Sequence, residues 1–335
     1  MSTLRRILID KDKTCKSIWF MRQAGRYLPE FREIRSKNKN FINLCLNSEL
    51  STEITLQPIK RYNLDSAIIF SDILLVPYAL GQEVNFIKNQ GPILSEFKLS
   101  TFLNNDKISF TQKLHPIYKS IELTRKKLNK DKSLIAFVGA PWTLLIYMLA
   151  LKEEKEKINL TKVESKRVEV KIILDKLNEY LCVHIENQIN AGADVVQIFD
   201  SWAGLIPQAE ITNFCYEPNL KIVNFCKEKS IPVICFPKGI NKNILKFDDF
   251  VKPNCISLDY KTDPKWVKEN LTSAVLQGGM DPRVLLKPIK EIYDETKKYL
   301  DTFKDIPYIF NLGHGLVPET DPDKLAKLIK FVREY

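Results

Sequence analysis

Residues 133–151 read Ser-Leu-Ile-Ala-Phe-Val-Gly-Ala-Pro-Trp-Thr-Leu-Leu-Ile-Tyr-Met-Leu-Ala-Leu, a stretch without a charged side chain. Its length approaches what a helix needs to cross a bilayer. However, Gly139-Ala140-Pro141 interrupts the stretch in its middle, and proline favours the first turn of a helix. The pattern therefore predicts a buried strand, a turn and an apolar helix that begins at Pro141, in preference to a membrane span.

The same pattern of strand followed by helix recurs in both directions from this stretch. Short apolar runs rich in Ile, Val and Phe predict strands of a parallel sheet that is covered on both faces. The eight runs are residues 18–21, 67–70, 134–138, 195–199, 232–236, 255–258, 273–276 and 308–311. Helical spacing occupies residues 51–62, 109–128, 163–191, 206–229, 288–303 and 322–335. Two prolines are expected to break the helix at 206–229.

Eight strands that alternate with helices predict an α/β fold, a single (β/α)8 TIM-type barrel over residues 1–335 with an N-terminal extension. Residues 84–97, with Asn-Gln-Gly-Pro in the middle, predict a β-hairpin insertion. The alternating charges of residues 152–157 are typical of an exposed helix or loop. A doubly wound open sheet is the alternative architecture, but no Gly-x-Gly-x-x-Gly follows any predicted strand.

The composition is basic, with 51 Lys and Arg against 41 Asp and Glu and a net charge of +10. Only 11 of the basic residues are arginine and 40 are lysine. Together with abundant Asn and Ile, this is what codon bias in an AT-rich genome produces, so most lysines are interpreted as solvated surface. A nucleic-acid-binding protein is an alternative that rests on the net charge alone. Seven cysteines without a Cys-x-x-Cys pair, and no secretory signal, indicate a cytoplasmic protein.

The arginines are not scattered as the lysines are. Four of the 11 fall within 14 residues, at Arg22, Arg26, Arg32 and Arg35. A guanidinium group is a planar fork that grips a carboxylate or phosphate at two points, which an ammonium group cannot do. The cluster therefore indicates a site for a small anion. The alternative is a set of surface ion pairs with Glu30 and Glu33, which would suit Arg32 better than Arg22 or Arg26.

In a barrel of this kind, chemistry collects at the carboxyl ends of the strands. The residues predicted at that rim are Arg22, Arg26, Asp72, Trp142, Tyr147, Asp200, Ser201, Lys238, Asp259, Asp281, Arg283 and His314. Asp72 lies between two apolar runs, where a carboxylate needs either a cationic partner or hydrogen-bond donors. The arginines could pair with it, or a substrate could supply the donors, and the pattern alone leaves both open.

Metal and nucleophile chemistry find little support in the sequence. The three histidines are far apart and none has metal-ligand spacing, and no nucleophile elbow is present. His184 lies in a predicted helix and is interpreted as a packed side chain. His314 differs, because it lies in Asn-Leu-Gly-His-Gly after the last strand, where flanking glycines allow a close approach to a ligand.

Residues 19–31, Trp-Phe-Met-Arg-Gln-Ala-Gly-Arg-Tyr-Leu-Pro-Glu-Phe, closely resemble the N-terminal signature of the uroporphyrinogen decarboxylase family. Further blocks that are similar to the family follow in the right order: Ile68-Ile-Phe-Ser-Asp-Ile-Leu74, Gly139-Ala-Pro-Trp-Thr143 and Asn311-Leu-Gly-His-Gly315. The resemblance extends from about Lys16 to near the carboxyl terminus.

This resemblance implies a single barrel, usually homodimeric, that converts uroporphyrinogen III to coproporphyrinogen III. Four acetate side chains become methyl groups and four CO2 leave, without a metal or an organic cofactor, through protonation of a pyrrole. Asp72 would accept the pyrrole N–H groups and stabilise the cationic intermediate, and Arg22 would donate the proton. The residues it assigns to substrate binding are Arg22, Gln23, Ala24, Gly25, Arg26, Arg35, Phe41, Phe70, Asp72, Tyr147, Ser201 and His314.

The fifth strand ends differently from the family pattern, in Cys235-Phe-Pro-Lys-Gly239. In related methyl-transferring proteins of the same fold, His-x-Cys at this place binds zinc. Here Val233 stands where the histidine would be, so the ligand set is incomplete. A cobamide-type methyltransferase is therefore the second enzyme hypothesis.

Overall fold

The computed structural model describes residues 1–87, 91–153, 157–271 and 273–335. The described strands, in chain order, are β1 Ser17–Ile18, β2 Ser66–Ile68, β3 Val84–Ile87, β4 Gly91–Leu94, β5 Ser133–Gly139, β6 Val195–Asp200, β7 Val233–Pro237, β8 Cys255–Leu258, β9 Val275–Gly278 and β10 Tyr308–Phe310. Eight of them form one sheet in the order β1-β10-β9-β8-β7-β6-β5-β2, in which every paired neighbour is parallel. Each of the eight predicted runs overlaps one of these strands, so the barrel prediction is confirmed.

The two ends of this sheet, β1 and β2, are joined through Asp65. Its backbone N–H donates to the Ile18 carbonyl at 3.1 Å, and its Oδ2 accepts the Ile18 N–H at 2.7 Å. Oδ1 also lies 3.3 Å from the Arg333 guanidinium of the C-terminal helix. One aspartate thus closes the sheet into a barrel where the two strands are too short to form a ladder of their own.

We expect Asp65→Ala to lower the free energy of unfolding by about 2–3 kcal/mol, because the Ile18 N–H loses a charged acceptor at the barrel seam. Arg333→Ala is the matched control. It removes the half-exposed ion pair and the hydrogen bond to the Asn63 carbonyl at 2.8 Å but leaves the Ile18 N–H its acceptor, so it should cost less, about 1 kcal/mol. Urea titration of both variants measures the difference. Equal losses would mean that the ion pair, and not the seam hydrogen bond, holds this end of the sheet.

The helices pack around the barrel. In chain order they are α1 Thr3–Asp10, α2 Pro29–Lys37, α3 Phe41–Cys45, α4 Ser48–Tyr62, α5 Leu75–Ala79, α6 Leu99–Leu103, α7 Lys107–Lys127, α8 Pro141–Met148, α9 Leu160–Ser165, α10 Arg167–Asn190, α11 Glu217–Glu228, α12 Ile244–Val251, α13 Pro264–Asn270, α14 Ile289–Phe303 and α15 Pro322–Glu334. All six predicted helices are present, with two differences. The segment 163–191 is divided at Lys166, whose φ of −118° and ψ of 27° lie outside the helical region. Residues 206–229 form a short 3₁₀ turn and a π-helical turn before α11, as the prolines had indicated.

Residues 133–151 fold as β5 followed by α8, with Pro141 in the first turn of the helix. Among the described residues, no helix combines the length and the apolar character needed to cross a membrane. The predicted hairpin is also confirmed, because β3 and β4 pair antiparallel with Val84 opposite Leu94. The turn that the sequence predicts at Asn89 and Gln90, like residues 154–156 of the segment with alternating charges, lies outside the described residues.

The apolar core has two layers. The larger fills the space between the sheet and the helices. The second lies inside the barrel, where strand side chains such as Ile135, Val195 and Ile234 pack with α1. Leu4, Ile7 and Leu8 of α1 are buried against them. The N-terminal extension therefore closes the amino-terminal end of the barrel, which leaves the carboxyl ends of the strands as the open mouth.

Candidate active site

The loop after β1 carries the arginine cluster, and buried polar contacts hold its path. The Gln23 side chain is 1% exposed; it accepts the Phe20 N–H at 3.1 Å and donates to the Ser66 carbonyl at 3.0 Å. The Tyr27 hydroxyl donates to the Gln23 carbonyl at 2.8 Å. The Gln23 amide is thus committed to the loop itself. By contrast, the backbone N–H groups of Ala24 and Gly25 bind no acceptor among the described residues, so they are the donors that this turn can offer to a ligand.

Arg22 has a backbone φ of +61°, a conformation that costs a non-glycine residue about 1–2 kcal/mol. The loop after β10 holds it there. Asn311 Oδ1 accepts the Met21 N–H at 3.2 Å, and the Leu316 N–H donates to the Met21 carbonyl at 2.9 Å. Strain of this kind persists where surrounding contacts impose it, and it clusters at functional sites.

The Arg22 side chain runs across Gly315. A Cβ placed on Gly315 would lie 2.4 Å from Arg22 Cδ and 2.7 Å from Cγ, closer than any real contact allows. Only glycine at this position leaves room for the guanidinium stem. The second glycine of Asn-Leu-Gly-His-Gly is therefore explained by the arginine that it faces, 293 positions earlier in the chain.

Asp72 lies in the loop after β2. Its Oδ1 accepts the Leu74 N–H at 2.8 Å, and among the described residues no Lys or Arg nitrogen lies within 4.0 Å of its carboxylate. Burial raises the pKa of Asp72 to about 6, although the Leu74 N–H and the charge of Arg22 both lower it. Of the two possibilities that the sequence left open, direct pairing with an arginine is wrong. The carboxylate is available for donors from a ligand.

His314 and Tyr147 lie near the same arginine. Burial and the charges of Arg22 and Lys238 together lower the pKa of His314 to about 4, so the imidazole is neutral at pH 7. Burial raises the pKa of Tyr147, on which Asp72 and Arg22 act with opposite signs. The hydroxyl therefore keeps its proton and can donate. The barrel thus brings Arg22, Asp72 and His314 from three separate loops together with Tyr147 of α8.

Aromatic rings form one wall of this mouth. Phe41 and Phe70 meet edge to face at 5.9 Å between ring centroids, and Arg35 lies over the Phe41 ring at 5.9 Å. Phe86 of the hairpin packs on Phe41 at 4.7 Å. Sequence reasoning missed Phe86, although its place in the predicted hairpin beside Ile87 was a signal for an apolar face. Arg35 also donates to the Asn38 carbonyl, which turns its guanidinium toward this wall.

A second set of rings underlies the mouth. Phe137, Phe199 and Phe236 come from β5, β6 and β7, with centroids 5.6 and 6.4 Å apart, and Phe236 reaches the His314 ring at 6.4 Å. These three rings were not predicted as site residues from the sequence. The available signal was their shared place near the ends of adjacent parallel strands.

The alternative interpretation of the arginine cluster, as surface ion pairs with Glu30 and Glu33, is wrong. Glu30 pairs with Arg61, at 2.8 Å, and Glu33 pairs with Lys37, at 2.9 Å. Arg32 donates instead to the carbonyls of Arg26 and Tyr27, at 3.0 and 2.9 Å. Arg32 therefore supports the loop, whereas the Arg26 side chain is exposed at its edge.

The remaining predicted rim residues include a buried support, a solvent-accessible ion pair and groups that line a cavity. Asp200 is 1% exposed and is bound by the Thr143 hydroxyl at 2.7 Å and by Asn219 at 3.2 Å. Burial raises the pKa of Asp200 to about 6. Asp281 is held by Arg283 at 2.6 Å. The next residue after Asp200, Ser201, lines a cavity of about 220 Å³ together with Trp202, Lys238, Asp259 and Lys261.

Zinc chemistry at the end of β7 is not supported by the described residues. Cys235 is fully buried, and no group of three or more His, Cys, Asp or Glu that could hold a metal ion occurs within the described ranges. His184 is also packed as expected, with Nδ1 3.0 Å from the Tyr118 hydroxyl.

Known proteins resemble this chain over nearly its whole length. The family model described as uroporphyrinogen decarboxylase matches residues 2–335. A uroporphyrinogen decarboxylase from Rickettsia africae is 42% identical over 321 residues, covering 95% of this chain and 93% of the relative. One from Orientia tsutsugamushi is 40% identical over 342 residues, covering 100% and 99%.

Solved structures show the same architecture at low identity. A methyltransferase from Methanosarcina mazei has a TM-score of 0.80 at 18% identity, covering 99% of this chain and 97% of that chain. This likeness shows the fold alone. The family model spans nearly the whole chain, and the Rickettsia relative is more than two-fifths identical over nearly its full length. The chain therefore belongs to the uroporphyrinogen decarboxylase family.

Proposed function

We propose that this protein removes CO2 from the four acetate side chains of uroporphyrinogen III and releases coproporphyrinogen III in haem biosynthesis, without a metal or organic cofactor. The observation that carries the proposal is the Asp72 carboxylate, which is half-buried, accepts one hydrogen bond from the described residues and lies close enough to Arg22 for that charge to lower its pKa. A reduced tetrapyrrole offers four pyrrole N–H groups at its centre, and these would supply the donors that the protein does not. Preorganised negative charge at that point stabilises a ring that becomes cationic.

The chemistry requires an electron sink next to each acetate. A proton adds to the ring carbon adjacent to the one that bears the acetate, which makes an iminium conjugated with the side-chain methylene. The bond to the carboxylate then breaks, its electron pair forms an exocyclic double bond, and CO2 leaves. A second proton adds to the methylene carbon, and the first proton is lost as the ring regains aromaticity. Each cycle consumes one proton overall, while Asp72 stays ionised.

We assign delivery of the first proton to Arg22. A free guanidinium is far too basic to be an efficient acid near neutral pH. Contact with a substrate carboxylate would let the pair share a proton and reduce that mismatch. The strained backbone of Arg22 and its seat on Gly315 support this assignment, because they hold one guanidinium in place at a cost to stability. Arg26, Arg35, Tyr147, Ser201 and His314 would bind the peripheral carboxylates, with Phe41 and Phe70 against the ring.

The direct test is anaerobic incubation of chelator-treated protein with uroporphyrinogen III. Hepta- to tetracarboxylic products, separated by chromatography, are expected in the absence of added metal or cofactor. If the ring is recovered with all eight carboxylates, the proposed function is wrong. Activity that appears only on addition of a metal would contradict the cofactor-free mechanism.

We expect kcat/KM to fall about tenfold per pH unit below about pH 6 and to level off above pH 7. Burial raises the pKa of Asp72 to about 6, and the mechanism needs the ionised form, so protonation on the acid side removes activity. The control is the residual activity of Asp72→Asn, which should lack this inflection. An inflection that remains in the variant would belong to another group, and Asp200 is the candidate, because burial also raises its pKa to about 6.

We also propose that the protein acts as a homodimer in the cytoplasm, which the family resemblance implies. All seven cysteines are free thiols and five are buried, which suits a reducing compartment. Light scattering on the purified protein should give twice the chain mass of 38.9 kDa. A mass of one chain at micromolar concentration would contradict the dimer.

A further inference from the structure

The cavity lined by Ser201, Lys238, Asp259 and Lys261 lies across the mouth from the arginine loop. Around the closed sheet, β7 is four places from β1, and β8 is four places from β2. Lys238 follows β7 and therefore faces the Arg22 side of the barrel. Asp259 and Lys261 follow β8 and face the Asp72 side. The same rim thus has an anion-binding face at one edge and a separate concave surface at the opposite edge.

The side chains that line this cavity carry more positive than negative charge, with two lysines and one aspartate. Asp259 is its one carboxylate among the lining residues, and that carboxylate is already engaged by three donors. Its Oδ2 accepts the Gly239 N–H at 2.7 Å, and its Oδ1 accepts the Lys261 N–H at 2.8 Å and the Thr262 hydroxyl at 3.2 Å. Asp259 therefore shapes the two loops, while the ammonium groups of Lys238 and Lys261 and the Ser201 hydroxyl provide the polar lining.

The lining is also built to hold its shape. The Gly204 N–H donates to the Lys238 carbonyl at 2.9 Å, and a Cβ on Gly204 would lie 2.7 Å from the Gly239 carbonyl oxygen. The loops after β6 and β7 consequently touch backbone to backbone. Lys238 is placed close enough to the centre of the mouth that its charge lowers the pKa of His314. The cavity is a preformed part of the same mouth.

We infer that this cavity is a second carboxylate subsite, in which Lys238 and Lys261 hold a peripheral carboxylate of the tetrapyrrole on the side opposite the arginine loop. The inference rests on the proposed function and deepens it. A ring with eight carboxylates around its edge presents negative charge in every direction, so a mouth with cations at one edge only would leave the far carboxylates desolvated and unpaired. Lysine suits this role, because a carboxylate that is replaced after each turnover needs attraction without a fixed bidentate geometry.

The test compares Lys261→Met with Lys265→Met. Both substitutions remove one positive charge, but Lys265 is an exposed residue of α13 outside the cavity. We expect Lys261→Met to raise KM for uroporphyrinogen III about tenfold with kcat within about threefold of the unsubstituted protein, and Lys265→Met to change neither. Lys238→Met should act in the same direction, and thermal unfolding checks that it still folds. Uroporphyrin, the oxidised ring with the same eight carboxylates, serves as a fluorescent probe, and its Kd should rise in parallel.

Three results would overturn the inference: an unchanged KM and Kd in Lys261→Met, equal losses in Lys261→Met and Lys265→Met, or a loss confined to kcat. The second would mean that overall charge, and not the cavity, attracts the ring. Each of these leaves turnover by the unsubstituted protein intact. Failure of the proposed function is distinguishable, because in that case the unsubstituted protein itself gives no product.

Discussion

Asp72→Asn is expected to reduce kcat about 10²- to 10³-fold while KM changes less than about threefold. The amide keeps the size and the Leu74 contact of the carboxylate but carries no charge. It can still accept pyrrole N–H groups in the ground state, whereas it cannot offset the positive charge that develops on the ring. A loss confined to the charged state appears in kcat and spares binding. Steady-state kinetics with uroporphyrinogen III measure the two constants.

The stability of the same variant gives an independent check. The pKa of Asp72 is raised in the folded protein, so at pH 7.5 ionisation of this group opposes folding, and the opposition disappears below the unfolded pKa near 4. Removing the charge should therefore raise the free energy of unfolding at pH 7.5 by about 1–3 kcal/mol. A variant that is slower but more stable cannot owe its loss of rate to misfolding. Equal losses in kcat and affinity would show that Asp72 only binds substrate.

Gly315→Ala is expected to reduce kcat/KM about 10²- to 10³-fold, the same loss that is expected for Arg22→Ala, although residue 315 donates no group to the reaction. The added methyl would lie 2.4 Å from Arg22 Cδ, so the guanidinium must leave its position. The φ of Gly315 lies outside the left-handed region, so alanine itself causes no backbone strain there. The effect of the substitution therefore acts through Arg22.

A double-mutant cycle tests that dependence. Once Arg22→Ala has removed the side chain, Gly315→Ala meets no atom of it and should cause no further loss. The coupling should therefore nearly equal the whole effect of either single variant. Additive losses would show that Gly315 acts on another part of the site, and thermal unfolding of each variant separates that case from a damaged fold.

The barrel itself could be predicted because its signals are local. Each predicted strand is an apolar run of four or five residues, and the order of strands and helices follows from their alternation along the chain. The same logic placed Arg22, Asp72, Tyr147 and His314 at one mouth, because parallel strands bring their carboxyl ends together. Residues that lie at equivalent ends of successive strands become neighbours whatever their separation in sequence.

The contacts that shape the site are of another kind. Asn311 binds the backbone of Met21 across 290 positions, and Glu30 finds Arg61 instead of the arginines beside it. Gln23 belongs to the predicted substrate-binding set, yet its side chain is used inside the loop. The three-dimensional path of the loops determines which of these side chains meet. A local sequence pattern does not predict that path. Short helices such as α3 and α5 were missed for a related reason, since five residues are too few for a periodic signal.

The helix α1 seals the amino-terminal end of the barrel, and it thereby also restricts the route by which substrate enters and product leaves. Leu4, Ile7 and Leu8 fill that end of the barrel. The substrate, the CO2 and the product therefore all enter or leave through the mouth at the carboxyl ends of the strands. A partly decarboxylated ring that dissociates must compete with uroporphyrinogen III to bind again. The concentration of partly decarboxylated intermediates in solution should therefore rise with substrate concentration, because substrate and product use the same opening of the barrel.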